Sequence, residues 1–171
     1  MRNNRMFKDS LPPLSHAITA TKKQIVEFFS CTSKVPKDAG NTTLHISWKP
    51  PPDGFIKINT DGASQGNSGC AGASGVFRDS RGNFITCLSR KLGTCTSTCA
   101  ELWAVRDALR IAVDNGYQNI MLECDSKVAI QLITGCFNDR HTYSPLLVDC
   151  KYFMDLLNVH KIDHTFREGN G

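Results

Sequence analysis

Residues 59–72 read NTDGASQGNSGCAG, and in this stretch an apolar pattern gives way to turn-forming residues. The preceding run FIKI at 55–58 predicts a strand, which we expect to end at Asp61. Glycine, serine and asparagine dominate residues 62–69 and predict a loop. The sequence therefore places an acidic side chain at a strand end, where open sheets commonly bind ligands.

Regular patterns continue along the rest of the chain. They predict strands at 72–77 and 83–89, a helix at 98–115, a strand at 120–124, helices from 126 to about 135 and at 144–157, and a strand at 161–166. Consecutive strands favour an antiparallel meander, and strands separated by helices favour parallel pairing. We therefore predict an α/β fold in which helices pack against a mixed sheet.

The helix at 98–115 has the clearest pattern. Thr98 is its predicted N-cap, with Glu101 completing a capping box, and Gly116 is its predicted end. Its core-facing stripe should consist of Leu102, Val105, Leu109 and Ala112.

Composition separates the chain into two parts. Of its 171 residues 40% are hydrophobic, enough for a packed core. Residues 1–50 carry eight Lys or Arg and three acids, whereas residues 51–171 carry twelve bases and thirteen acids. The run WKPPPDG at 48–54 interrupts helix and sheet. We predict a linker or poorly ordered basic region over 1–50 and a folded domain over 51–171.

Cysteine usage bears on the compartment. The eight cysteines include no CxxC pair, and neither a hydrophobic signal segment nor a membrane-spanning run is present. We expect reduced thiols in an intracellular protein of the nucleus or cytoplasm, not a secreted or membrane protein. Five of them are predicted to fill the core: Cys70, Cys87, Cys124, Cys136 and Cys150.

Three acids stand at positions suited to chemistry. Asp61 closes the first predicted strand, Glu101 lies in the first turn of the long helix, and Asp125 closes the strand at 120–124. Three gathered carboxylates repel one another and need a cation. Oxygen ligands favour Mg²⁺ or Mn²⁺ over zinc.

Each acid also has a structural alternative. Glu101 could serve only the capping box, Asp125 could be the N-cap of the next helix, and Asp61 before Gly62 could be a turn residue. Sequence spacing leaves these alternatives open, because only the fold can bring the three acids together.

Four ordered motifs carry a resemblance to a known family. They are residues 59–72, CAELWA at 99–104, LECDSK at 122–127 and HTFREGN at 164–170, preceded by WKPP at 48–51. From Trp48 onward the chain resembles ribonuclease H domains, most closely the plant group descended from non-LTR retroelement reverse transcriptases.

The resemblance implies both a fold and an activity. The fold is a five-stranded mixed sheet flanked by helices, and the activity is hydrolysis of the RNA strand of RNA–DNA hybrids. By position, Asp61, Glu101 and Asp125 match the family's catalytic, metal-binding acids. They would hold two Mg²⁺ ions, or Mn²⁺, about 3.5–4 Å apart.

The hybrid should be recognised through its minor groove, where RNA displays its 2′-hydroxyls. The resemblance assigns substrate contacts to Gly62, Ala63, Ser64, Gln65, Asn67, Thr98 and Ser126. Asn67 could equally be a turn residue, and Ser126 a helix cap.

The family pattern continues beyond Gly171 with a fourth aspartate on a closing helix. We expect the domain to be incomplete at its C-terminus, and monomeric. The alternatives to a hybrid-cleaving enzyme are therefore a catalytically impaired nucleic-acid-binding module and a protein-interaction domain.

Overall fold

The computed structural model describes residues 48–165, and its elements follow the predicted order. They are β1 Ile56–Ser64, β2 Gly69–Arg78, β3 Phe84–Cys95, α1 Ser97–Asp114, β4 Ile120–Cys124, α2 Lys127–Thr134, α3 Ser144–Leu156 and β5 Val159–His164. The predicted linker lies outside the described residues except for positions 48–50. Its boundary stays a prediction.

The five strands form one mixed sheet in the order β3-β2-β1-β4-β5. β1 pairs antiparallel with β2, and β2 antiparallel with β3. β4 lies parallel to β1 on its other side, and β5 lies parallel to β4. The meander followed by helix-connected parallel strands confirms the predicted fold class.

The core lies between α1 and the sheet. Leu102, Val105, Leu109 and Ala112 are all 0% exposed, which confirms the predicted stripe. They belong to the same buried cluster as Ile58 of β1. Spacings of three and four residues place all four side chains on one helix face. No helix between Trp48 and Thr165 is both long and apolar enough to span a membrane.

β1 continues past the point where the sequence predicted its end. Gly62, Ala63 and Ser64 pair with residues 71–73 of β2, so the prediction that they belong to a loop was wrong. Hydrogen bonding by the neighbouring strand extends β1 here, and one strand's composition does not reveal its partner. Asp61 therefore lies within β1.

The start of α1 differs from the prediction. Its N-cap is Thr96, whose hydroxyl accepts a hydrogen bond from the Cys99 backbone N–H at 3.2 Å. The Thr98–Glu101 capping box was therefore wrong, because Cys99 occupies the third helical position and Glu101 lies deeper in the helix. The helix ends as expected, with Gly116 in the left-handed region at φ +66°.

The predicted burial of five cysteines is correct for two of them. Cys124 and Cys150 are 0% exposed. Cys70, Cys87 and Cys136 are exposed, so their assignment to the core was wrong. In β3 the buried residue is Leu88, and its neighbour Cys87 points to the opposite face because strand side chains alternate.

Candidate metal centre

Strand register brings two of the predicted acids to one end of the sheet. Thr60 of β1 lies opposite Cys124 of β4 in a parallel pair. Asp61 follows Thr60 in the sequence, and Asp125 follows Cys124. Because β1 and β4 run in the same direction, Asp61 and Asp125 lie at the same end of this strand pair.

A glycine brings the third acid to the same place. A Cβ atom built on Gly62 would lie 2.2 Å from the Glu101 backbone N and 2.3 Å from the Ala100 carbonyl carbon. Only glycine, which lacks a Cβ atom, allows the strand and the helix to approach so closely. Gly62 thus lets the first turns of α1 press against β1 beside Asp61.

The charges of Asp61 and Asp125 act on the carboxyl group of Glu101. Glu101 is only 5% exposed. Burial raises the pKa of Glu101 to about 9, with further contributions from the negative charges of Asp125 and Asp61. Asp125 and Asp61 are therefore both close enough for their charges to act on Glu101. That the three acids form one metal site stays a prediction.

The donor chemistry of this site fits a divalent cation. Carboxylates that repel one another in a buried position become favourable when a cation neutralises them. Oxygen donors suit Mg²⁺, and Glu101 and Asp125 offer oxygen atoms within 4.8 Å of each other. Asp61, Glu101 and Asp125 are the residues that would hold the ion.

A thiol also belongs to this group, and sequence reasoning missed it. One ligand atom from each of Glu101, Cys124 and Asp125 lies within 4.8 Å of the other two. The Cys124 thiol donates a hydrogen bond to Glu101 Oε2 at 3.6 Å. The sequence predicted Cys124 only as a core-filling cysteine, and its position directly before Asp125 was the one signal that could have linked it to the acids.

Two of the predicted substrate-binding residues connect the loop after β1 to its surroundings. Ser64 donates a hydrogen bond to the Cys95 carbonyl at 2.6 Å and accepts one from the Gly69 N–H at 3.2 Å. Asn67 Oδ1 accepts hydrogen bonds from the Ser97 N–H and hydroxyl at 2.8 and 3.0 Å. Asn67 adopts φ 40°, which agrees with its alternative interpretation as a turn residue.

Ser126 is the N-cap of α2, and its hydroxyl accepts a hydrogen bond from the Ala129 N–H at 3.2 Å. This contact identifies Ser126 rather than Asp125 as the cap. Ala63 and Gln65 are exposed, and Thr98 is half-buried. Contacts of all these residues with a nucleic acid stay predictions.

A second polar cluster, also missed in the sequence, ties β1 to β4 behind the acids. Lys57 Nζ donates hydrogen bonds to Glu123 Oε1 and to the Lys49 carbonyl. Asn59 donates to Glu123 Oε2 at 2.8 Å and accepts from the Trp48 indole at 3.0 Å. Since Asn59 pairs with Glu123 in the strand register, this cluster holds the alignment that places Asp61 beside Asp125.

Comparison with known proteins assigns the family. The family described as reverse transcriptase-like matches residues 59–171. The chain belongs to this family.

This reverse transcriptase-like chain is 38% identical over 125 residues to the Arabidopsis thaliana "Putative ribonuclease H protein", a match that covers 73% of this chain and 20% of that protein. It is 31% identical over 126 residues to ribonuclease HI of Halobacterium salinarum, with 72% and 57% covered. The chain thus spans only part of the length of these relatives.

Solved structures agree with the fold of the reverse transcriptase-like chain. RNase H1 of Halobacterium salinarum superimposes with a TM-score of 0.62 at 26% identity, covering 68% of this chain and 89% of that one. LC11-RNase H1, solved in complex with an RNA/DNA hybrid, gives a TM-score of 0.61 at 24% identity, with 68% and 88% covered. These likenesses establish a ribonuclease H fold.

Proposed function

We propose that this chain is a divalent-metal-dependent endonuclease that hydrolyses the RNA strand of RNA–DNA hybrids. The observation that carries this proposal is that Glu101 and Asp125 offer ligand atoms within 4.8 Å of each other, with Asp61 close enough for its charge to help raise the pKa of Glu101. Family membership and the ribonuclease H relatives support the choice of substrate.

The residues of the chain have defined tasks in this mechanism. Asp61 and Asp125 supply carboxylates from two adjacent strands, and Glu101 supplies one from α1. Bound Mg²⁺ would activate water and stabilise the leaving oxygen of an in-line displacement. Gly62 and the Lys57–Glu123 cluster keep the carboxylates in position. Gly62 allows α1 to pack closely on β1, and the Lys57–Glu123 pair joins β4 to β1.

Substrate binding in this proposal uses the surface beside the acids. Ala63 and Gln65 are exposed on the segment that follows Asp61. Asn67 fixes that segment to the start of α1. An exposed segment held next to the acids by these hydrogen bonds is suited to following the minor groove of a hybrid. A relative with this fold, LC11-RNase H1, has been solved with an RNA/DNA hybrid.

Cleavage of a labelled hybrid in Mg²⁺ tests the proposal. We expect the wild-type chain to cut the RNA strand and Asp61→Asn to abolish cutting while still binding the hybrid. Asp155→Asn is the matched control, because Asp155 is an exposed carboxylate on α3. Cleavage that survives Asp61→Asn would contradict the assigned site. Binding without cleavage by the wild type would favour the impaired, nucleic-acid-binding alternative.

A further inference from the structure

We infer that Cys124 makes this site a ligand set for thiophilic divalent cations such as zinc or cadmium, which compete there with magnesium. The inference rests on the proposed function, since it concerns the same carboxylates. It adds a specificity-determining residue that selects which ion occupies them.

The first support is the mixed composition of the donor group. Sulfur from Cys124 and oxygens from Glu101 and Asp125 lie within 4.8 Å of one another. Ligand atoms at such mutual distances need only small rotations to surround one ion. Sulfur binds zinc and cadmium strongly and magnesium hardly at all, so the thiol discriminates between these ions.

The second support is the orientation of the sulfur. Cys124 is 0% exposed, yet its thiol points toward Glu101 Oε2 rather than only into apolar packing. The Ser126 backbone N–H donates a hydrogen bond to Cys124 Sγ at 3.4 Å. Such N–H donors stabilise the negative charge that sulfur acquires when it coordinates a metal. On binding, the thiol proton passes to solvent and a metal–sulfur bond forms.

Occupation by such an ion has a consequence for function. Asp61 lies outside the group of mutually close ligand atoms, whereas Glu101 and Asp125 belong to it. An ion bound by Cys124 would therefore also be coordinated by Glu101 and Asp125, two of the three proposed catalytic acids. Zinc or cadmium should inhibit magnesium-dependent cleavage.

Cadmium titration followed by ultraviolet absorption tests the inference directly, because a cadmium–thiolate bond has a charge-transfer band. The full chain carries Cys95→Ser and Cys99→Ser, since those two neighbouring thiols interact with each other and would bind cadmium themselves. We expect this protein to show the band at one equivalent of cadmium. Cys124→Ser should lose the band and bind cadmium at least about tenfold more weakly.

Cys150→Ser is the matched control. Cys150 is equally buried, at 0% exposed, but lies on α3 and is not part of the donor group. The band should persist at full intensity in this variant. A band that persists unchanged in Cys124→Ser, or that is lost equally in both variants, would overturn the inference.

Glu101→Gln gives a second, independent measurement if Cys124→Ser does not fold. It keeps the thiol and removes a ligand, so cadmium affinity should fall at least about tenfold. Unchanged affinity would overturn the inference. Magnesium-dependent cleavage is measured in parallel on the wild type. Cleavage without the cadmium band contradicts only this inference, and the band without cleavage contradicts only the proposed function.

Discussion

Gly62 of β1 and Glu101 of α1 are in such close contact that a single added carbon would collide with the helix backbone. The Cβ of an alanine at position 62 would lie 2.2 Å from the Glu101 backbone N. This contact sets the distance between the strand that carries Asp61 and the helix that carries Glu101. It therefore links packing to the chemistry of the site.

Replacement of this glycine should damage stability and metal binding together. Gly62→Ala forces α1 away from β1, and we expect a loss of about 1–3 kcal/mol in the free energy of unfolding. Urea denaturation measures that loss, and a Mn²⁺ titration measures the weaker binding. Gly72→Ala is the control, because its Cβ would come no nearer than 3.3 Å to the Arg90 carbonyl oxygen. Equal losses in both variants would show that the contact has no special role.

The raised pKa of Glu101 should make the stability of the metal-free protein depend on pH. In the folded chain this pKa is about 9, whereas an unfolded glutamate titrates near about 4.3. Between these values the folded state holds a proton that the unfolded state has released. Stability should therefore fall as the pH rises through this window.

Thermal denaturation in EDTA from about pH 5 to about pH 9 measures this dependence. Glu101→Gln removes the titrating group and should flatten the slope. Mg²⁺ should stabilise the wild type more at high pH, because the ion binds the ionised carboxylate. A slope that is identical in the wild type and in Glu101→Gln would contradict the assignment.

The buried ion pair between Lys57 and Glu123 should be costly to break. Their side chains are 6% and 15% exposed. Glu123→Ala leaves a buried ammonium group without its carboxylate, and we expect a loss of about 3–5 kcal/mol in urea denaturation. Asp114→Ala provides the comparison, because its pair with Arg110 has side chains 59% and 55% exposed. That variant should lose no more than about 0.5 kcal/mol. Losses of similar size would mean that burial does not set the strength of the Lys57 pair.

Two neighbouring threonines at the start of α1 should differ in their effect on stability. Thr96 caps the helix, whereas Thr98 lies within its first turn. We expect Thr96→Ala to lower the free energy of unfolding by about 1 kcal/mol, because the Cys99 N–H loses its acceptor. Thr98→Ala should leave it nearly unchanged. The opposite order of effects would restore Thr98 as the cap.

The periodic pattern of apolar residues was sufficient to locate the helices and strands that bury one face. The stripe from Leu102 to Ala112 repeats with the helical spacing, and every member of it is 0% exposed. The run at 120–124 and the glycine at 116 likewise indicated where a strand and a helix terminus lie. These features are local, since each depends on residues a few positions apart. The family motifs added the identity of the three acids, but not their geometry.

Tertiary structure alone decided what surrounds those acids. The length of β1 beyond Asp61 depends on hydrogen bonds from β2, and the depth of Glu101 depends on the contact at Gly62. The sulfur of Cys124 reaches Glu101 because α1 packs on β1 and β4 pairs with β1. Such relations join residues far apart in the chain, and local patterns of hydrophobicity carry no information about them. A pKa near 9 for a glutamate is a property of that assembled environment.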